Sequence, residues 1–185
     1  MTTPLRQAAG LVELIRDLER RWAGHAAAQG LDPRGDLAPD LPLSIRIAPM
    51  RLERLLANLL DNALKYAEEG VITLSVTREV DDALRFTVQD EGPGFSEASL
   101  ASLFSFGARP ADSTQPGTGM GLHIAKSLAD LMGGRLVAEN RRARQGGKGG
   151  ACVSFWLPRF VWAPDPAGPE AAPLAPELPD LSGRV

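Results

Sequence analysis

The stretch Asn58-Leu-Leu-Asp-Asn62-Ala-Leu-Lys65-Tyr66 predicts an apolar helix that carries two amides and one ammonium group. Its apolar side chains repeat at three- and four-residue spacing, so they form one buried face. They are Leu52, Leu55, Leu56, Leu59, Leu60, Ala63 and Leu64. Asn58, Asn62 and Lys65 share a second face of the same helix. Asn is a mediocre helix former, so two of them one turn apart suggest a task beyond folding, although a solvated polar face explains the stretch equally well.

The composition restricts the class of protein. The chain has 185 residues, of which 44% are hydrophobic, and this predicts about one domain with a sizeable core. The net charge of -3 gives no electrostatic case for binding nucleic acid or an anionic membrane. The single cysteine, Cys152, excludes an internal disulfide framework and a cysteine-rich metal site. Because no run has the length of a membrane span and no secretory signal follows Met1, we expect a cytoplasmic domain, attached to a membrane only through a parent protein.

Upstream of the Asn-rich helix, the sequence predicts a helix, a loop and a short strand. An apolar stripe predicts a helix over residues 5–29, and this stripe either belongs to the core or faces a partner helix. Residues 31–42 are rich in Gly, Pro and Asp, which predicts a loop. Residues 43–47 alternate as a short strand does. Pro49 then lies near the start of a helix over residues 50–67, where its missing N–H costs little.

Downstream, strands predominate. The segments 71–77 and 84–89 are β-rich and alternate, and Asp81-Asp82 between them predicts the turn of a hairpin. Residues 135–139 and 151–157 predict two more strands.

Two helices and a long loop complete the predicted core. Ser96 is a good N-cap for a short helix that ends near Phe104. Residues 105–118 have no periodicity, and a structureless run of this length in a compact domain is usually functional or mobile. Residues 119–132 predict a helix that Gly133-Gly134 ends.

Together, these elements predict an α+β fold, a two-layer sandwich of a mixed, mostly antiparallel sheet with helices on one face. The predicted division of the chain is an N-terminal helix over residues 1–30, a main domain over residues 31–160 and a Pro/Ala-rich disordered tail over residues 161–185.

The stretch Asp90-Glu-Gly92-Pro-Gly94 directly follows a predicted strand. Glycines let the backbone approach a ligand closely, and a carboxylate beside them can accept a hydrogen bond from an amino group, such as that of a purine. Asp, Gly and Pro also favour plain turns, and taken alone the composition favours the turn.

The stretch Gly117-Thr118-Gly119-Met120-Gly121 lies where a loop enters a helix. Free N–H groups at a helix N-terminus bind anions, and glycines leave room for a phosphate. The stretch is not a Walker motif, because no Lys-Ser/Thr follows the last glycine. Nor is it a dinucleotide fingerprint, because its spacing differs and no βαβ unit surrounds it.

The order of these motifs resembles the catalytic and ATP-binding (HATPase) domain of sensor histidine kinases, a branch of the GHKL ATPase superfamily. The matching stretches are Asn58-Leu-Leu-Asp-Asn-Ala-Leu-Lys-Tyr66 (the N box), Asp90-Glu-Gly-Pro-Gly94 (the first glycine box), Leu103-Phe-Ser-Phe-Gly107 (the F box) and Gly117-Thr-Gly-Met-Gly-Leu122 (the second glycine box). The resemblance covers about residues 43–158 and implies a Bergerat-type ATP-binding fold.

The resemblance implies a role for each matching residue toward Mg-ATP. Asp90 would accept a hydrogen bond from the adenine amino group, and Gly92 and Gly94 would let the backbone pass under the base. Asn62 would be the Mg²⁺ ligand, an assignment that suits a hard ion that prefers oxygen. The residues implied for the phosphates and the rest of the nucleotide are Asn58, Lys65, Tyr66, Arg109, Gly117, Thr118, Gly119, Gly121 and Leu122. Of these, Asn58, Lys65 and Arg109 would be catalytic, through positioning and charge neutralisation.

Three positions distinguish this chain within the resemblance. Relatives that hydrolyse ATP, such as gyrase, carry a glutamate at the position of Asn58, whereas an amide is a poor base. This favours a kinase over an ATPase. Ala151 stands where the family usually has a Thr near the adenine, and Phe106 stands where many members have a polar residue, so both positions depart from the pattern.

The resemblance implies transfer of the γ-phosphoryl group of ATP to a histidine. The partners would be a histidine-containing dimerisation domain and a response regulator. His25 and His123 lack the sequence that surrounds the acceptor histidine in the family, so the acceptor is expected outside this segment, and the N-terminal helix is expected to be the end of a dimerisation helix. An anti-sigma serine kinase, which shares the fold and acts by gripping a sigma factor, is the alternative.

Overall fold

The structure, a computed structural model, describes residues 9–107, 119–141 and 149–159. Its elements in chain order are β1 (Ala9–Gly10), α1 (Leu11–Ala28), β2 (Asp32–Leu37), β3 (Ser44–Ile45), α2 (Pro49–Tyr66), β4 (Val71–Arg78), β5 (Leu84–Gln89), α3 (Glu97–Ser102), α4 (Gly121–Leu131), β6 (Arg135–Arg141) and β7 (Gly150–Leu157). The predicted site residues Arg109, Gly117 and Thr118 lie outside the described residues, as does the predicted tail over residues 161–185.

Five strands form the main sheet in the order β2-β4-β5-β7-β6. β2 runs parallel to β4, and every other neighbouring pair is antiparallel. The predicted hairpin is confirmed as β4 and β5, with Asp82 in the turn at a positive φ of 62°. β1 and β3 form a separate two-stranded pairing. The prediction of a mixed, mostly antiparallel sheet is therefore confirmed.

The core lies between this sheet and the helices. Alternate residues of β4 are buried, namely Ile72, Leu74 and Val76, and they pack in one cluster with the apolar stripes of α1, α2 and α4. The predicted apolar face of the Asn-rich helix is confirmed, since all seven of its leucine and alanine positions are buried. Ser96 caps α3 as predicted, because its hydroxyl accepts from the backbone N–H of Ser99 at 3.1 Å.

The prediction of a loop over residues 31–42 is wrong for its first half, because β2 occupies Asp32–Leu37. Pro33 and the glycine of this segment argue locally against a strand, but β2 is an edge strand, where a missing N–H is tolerated. The pairing with β4 begins where the N–H of Asp32 donates to the carbonyl of Gly70 and continues to Ala38, which donates to Val76. A partner distant in sequence therefore sets this strand.

The apolar stripe of α1 is core, which decides between the two alternatives left open by the sequence. Leu11, Ile15, Leu18, Trp22 and Ala26 are buried in the same cluster as the rest of the domain. The boundary predicted after residue 30 therefore falls inside one packed core, to which α1 contributes. α1 also starts later than predicted, because the two residues before it pair with β3.

Candidate functional site

The polar face of α2 is half-buried and holds the predicted residues Asn58, Asn62, Lys65 and Tyr66. The amide N–H of Asn58 donates to the carbonyl of Arg54 at 2.7 Å, which fixes the orientation of this amide. Its Oδ1 then faces the start of α4, where a Cβ on Gly121 would lie 3.4 Å from it. The structure thus brings the N box and the second glycine box together.

Lys65 lies beside its neighbour in the chain, with Nζ 5.0 Å from the centre of the Tyr66 ring. Lys65 also lines an open groove between the ends of α1 and α2, together with His25 and Asp61. Burial raises the pKa of Asp61, while the nearby His25 acts in the opposite direction. This groove shares only Lys65 with the predicted nucleotide site, so we assign it no part in nucleotide binding.

Asp90 is the buried carboxylate of the site, with 4% of its surface exposed, at the end of β5. Its Oδ1 accepts from the backbone N–H of Gly92 at 2.9 Å and from that of Ala151 at 3.0 Å. No donor among the described residues reaches the second oxygen, which is thus left as an acceptor. At Ala151, where the family pattern has a hydroxyl, the backbone N–H holds this carboxylate.

The glycines of the first box give the loop close contacts with the protein itself. A Cβ on Gly92 would lie 3.0 Å from the carbonyl oxygen of Tyr66, at the end of α2. Gly94 has a φ of +74°, and a Cβ there would lie 2.6 Å from Oδ1 of Asn140. Both glycines therefore let the loop pack between α2 and β6, which the sequence alone did not indicate.

The second glycine box enters α4 as predicted. The N-cap residue, Met120, supplies no side-chain hydrogen bond, so the N–H groups of the first turn are free of a side-chain cap. Such a helix start attracts anions. Gly119 and Gly121 present only backbone there, while Leu122 is buried and anchors the helix in the core.

Two residues that were not predicted as site residues hold the edges of the site. His123 Nδ1 donates to the carbonyl of Phe104 at 3.0 Å, and its ring meets that of Phe106 edge-on at 5.5 Å. This links the F box to α4, across residues 108–118. Asn140 hydrogen-bonds the backbone of Phe95. The only sequence signal for Asn140 was an amide near a strand end. A role for this amide cannot be inferred until the pairing of the strands is known.

No helix among the described residues combines the length and the hydropathy that a membrane span requires. Within residues 9–107, 119–141 and 149–159, no three His, Cys, Asp or Glu side chains are grouped to hold a metal ion.

Comparison with known sequences identifies relatives of the whole site region. The family described as histidine kinase-, DNA gyrase B- and HSP90-like ATPase matches residues 47–160. The virulence sensor protein BvgS of Bordetella pertussis is 38% identical over 148 residues, which cover 76% of this chain and 12% of that protein. The aerobic respiration control sensor protein ArcB of Escherichia coli is 32% identical over 148 residues, or 75% of this chain and 18% of that protein. The chain thus spans under a fifth of the length of these relatives.

Solved structures share the fold. Full-length ShkA in complex with AMPPNP superposes with a TM-score of 0.72 at 26% identity, covering 85% of this chain and 32% of that one. The catalytic domain of the histidine kinase ThkA, in a nucleotide-free form, gives a TM-score of 0.67 at 26% identity, covering 82% of this chain and 94% of that one.

Proposed function

Because the chain belongs to the family of histidine kinase-, DNA gyrase B- and HSP90-like ATPases, we propose that it is the Mg-ATP-binding catalytic domain of a two-component sensor histidine kinase. The observation that carries the proposal is Asp90, a buried carboxylate with one oxygen held by two backbone N–H groups and the other reached by no donor of the described residues. This arrangement suits the amino group of adenine.

The polar face of α2 fits the phosphates and a magnesium ion. Asn62 has no hydrogen bond to a described residue, so its amide oxygen is available as the Mg²⁺ ligand, and the oxygen of Asn58 faces the start of α4. Mg²⁺ would supply charge neutralisation of the phosphates. The backbone N–H groups at the start of α4 and the ammonium of Lys65 would hold the phosphates.

The remaining predicted site residues complete this proposal. Arg109 would face the phosphates. The residues placed around the nucleotide are Tyr66, Gly92, Gly94, Gly117, Thr118, Gly119, Gly121 and Leu122, of which Leu122 acts by fixing α4 in the core.

Asn58 favours phosphoryl transfer over hydrolysis. Its amide is not a base, and its N–H is already bonded to the carbonyl of Arg54. With no carboxylate there to activate water, the γ-phosphoryl group would pass to a histidine in a dimerisation domain of the parent protein or of a separate chain, with ADP as the leaving group. A response regulator would then receive it.

Neither histidine of this chain suits the acceptor role. His123 is bonded to the carbonyl of Phe104, and His25 lies on α1, which packs into the same domain. We therefore place the acceptor in another segment or chain. We also place the domain in the cytoplasm, attached to a membrane only through its parent, with no role for nucleic acid.

The test is titration of a fluorescent ATP analogue into the wild-type chain and the Asp90→Asn variant with Mg²⁺ present. Asn keeps an oxygen for the two backbone donors but replaces the second acceptor by an N–H₂ group. A hydrogen bond to a charged group contributes about 1.5–3 kcal/mol, so we expect affinity to fall about 10- to 100-fold. Asp130→Asn, which removes a surface carboxylate paired with Lys126, is the control and should bind like wild type.

Wild-type protein without ATP affinity, or Asp90→Asn with full affinity, would refute the proposal. The kinase class is tested separately by adding a histidine-containing dimerisation domain and following labelled phosphate. Acid-labile label on that domain, with slow release of inorganic phosphate, is expected. Acid-stable label on serine would instead support an anti-sigma-type serine kinase.

A further inference from the structure

Asn140 lies in β6, opposite Ala151 of β7. Its Oδ1 accepts from the N–H of Phe95 at 2.7 Å, and its Nδ2 donates to the carbonyl of the same residue, also at 2.7 Å. One side chain therefore satisfies both backbone groups of Phe95, as a neighbouring strand would. Since a carbonyl only accepts and an N–H only donates, these two bonds also fix which way the amide points.

The shape of the loop is fitted to this amide. Gly94, directly before Phe95, has a φ of +74°, and a Cβ there would lie 2.6 Å from Oδ1 of Asn140. A side chain at position 94 would displace the amide. The Phe95 side chain packs against the core, so the end of the loop is held by both its ring and its backbone.

The start of the same loop is held by β7. The N–H and carbonyl of Ala151 bond Asp90, through its Oδ1 and its backbone N–H respectively. The second donor to Asp90 Oδ1 is the N–H of Gly92, which belongs to the loop. The position of the Gly92 N–H therefore depends on where Asn140 holds Phe95, at the other end of the loop. The position of the Asp90 carboxylate depends on it in turn.

We propose that Asn140 is a positioning residue for base recognition, which holds the loop over residues 90–95 so that the second carboxylate oxygen of Asp90 meets the 6-amino group of a purine. Asn140 acts through Phe95 and Gly92 and does not itself contact the nucleotide. The proposal rests on the proposed function, because it assumes that ATP binds with its base at Asp90.

The experiment measures the selectivity of the site for the amino group. ATP and purine riboside triphosphate, which lacks the 6-amino group, compete in turn against a fluorescent ATP analogue with Mg²⁺ present. The wild-type protein is expected to prefer ATP about tenfold, because one hydrogen bond to a carboxylate distinguishes the two ligands. Asn140→Ala is expected to reduce this preference about threefold or more, with purine riboside triphosphate bound nearly as in wild type.

Two further variants make the result specific. Asn140→Asp is nearly isosteric and keeps an acceptor for Phe95 N–H, but it cannot donate to the carbonyl, so the preference should fall as well. Glu139→Ala removes an exposed side chain from the opposite face of β6 and should leave the preference unchanged. Thermal unfolding of each variant shows whether it is folded.

The outcomes separate the two proposals. If the wild-type protein binds ATP with the expected preference and both Asn140 variants keep it, the positioning role is overturned while the proposed function stands. If folded variants lose affinity for both ligands equally and keep the preference, the positioning role is also overturned, because such a result indicates a general structural role. If the wild-type protein does not bind ATP at all, the proposed function is refuted, and the positioning role that rests on it is refuted as well.

Discussion

The two walls of the candidate site are built differently. We call the loop over residues 90–95, with its partners on β6 and β7, the base wall. The polar face of α2 with the start of α4 is the phosphate wall. On the base wall, Asp90 and Phe95 are held by hydrogen bonds of 2.7 to 3.0 Å. On the phosphate wall, Asn62 has no hydrogen bond to a described residue, and α4 starts without a side-chain cap.

This difference agrees with the chemistry of the two halves of a nucleotide, the ligand proposed for this site. A purine edge is neutral and is distinguished by one or two hydrogen bonds, so its partners must be placed in advance. Phosphates and Mg²⁺ carry large charges and can order mobile groups around them. Three substitutions at or beside the two walls test this contrast, in order of decreasing expected effect, and a fourth at Glu19, outside both walls, is expected to have the smallest effect.

Gly150→Ala should reduce stability most, because the added methyl group would clash with the backbone of the base wall. Gly150 has a φ of +154°, and a Cβ there would lie 1.9 Å from the carbonyl oxygen of Asp90. Backbone strain and the forced shift of β5 should lower the free energy of unfolding by about 3 kcal/mol or more. Urea denaturation measures this loss.

Gly24→Ala is the matched control. Gly24 lies within α1, and a Cβ there would meet nothing within 4 Å. The same substitution should therefore stabilise the helix by about 0.5–1 kcal/mol. Equal unfolding free energies for the two variants would contradict the rigid base wall.

Asn62→Ala should affect only the metal-dependent part of nucleotide affinity. Removing the amide oxygen that we propose as the Mg²⁺ ligand should weaken Mg-ATP binding about tenfold, the low end of what lost metal-site partners cost. In EDTA, the variant and the wild type should bind ATP alike. Calorimetric titration with and without Mg²⁺ gives both values, and equal loss in the two conditions would argue against Asn62 as the ligand.

His123→Ala should weaken the link between the F box and α4. It removes the hydrogen bond to the carbonyl of Phe104 and the ring contact with Phe106, which is 76% exposed. The expected loss of unfolding free energy is about 1 kcal/mol, with faster hydrogen exchange over residues 104–107. Ser127→Ala, one turn further along α4, is the control. Unchanged exchange in His123→Ala would show that the link does not hold the F box.

Glu19→Gln should have the smallest effect, because Glu19 lies outside both walls. Its Oε1 is buried without a hydrogen bond to a described residue, and burial raises the pKa of this carboxyl group, with Arg16 acting in the opposite direction. A raised pKa means that the folded state disfavours the charged form. Stability is therefore lost as pH rises past the ordinary glutamate pKa of about 4.3.

The neutral Gln removes this loss. Thermal unfolding is measured between pH 4 and pH 8. As pH rises, the Tm of the variant should increase relative to that of the wild type, by about 2 °C or less because the carboxyl group is partly solvated. A difference in Tm between the two proteins that does not change with pH would show that ionisation of Glu19 does not lower the stability of the wild type.

Much of the fold could be predicted where the pattern is local. The apolar stripe of α2 and the alternation of β4 and β5 are confirmed, because helical and strand periodicity follow from the burial of one face. β2 could not be predicted, since its Pro and Gly argue for a loop and only pairing with β4 makes it a strand. The helix predicted over residues 5–29 begins too early, because Ala9 and Gly10, directly before α1, pair with β3.

The site follows the same division. The glycine boxes and the two Asn of α2 are recognisable from residue types and spacing, because these types suit phosphates and a metal ion wherever they lie in the fold. Asn140 and the N–H of Ala151 carry no such signal. Their roles depend on β6 and β7 meeting the end of β5, which brings residues 45 and 61 positions apart into contact.

The sequence by itself determined the α2 helix, its polar face and the hairpin, because each rests on interactions between residues close in the chain. Only the tertiary structure decided that α1 belongs to the core, that Asp32–Leu37 is a strand, and that Asn140 holds the loop beside Asp90. These features rest on hydrogen bonds and packing between distant segments, and such partners exist only once the sheet has formed.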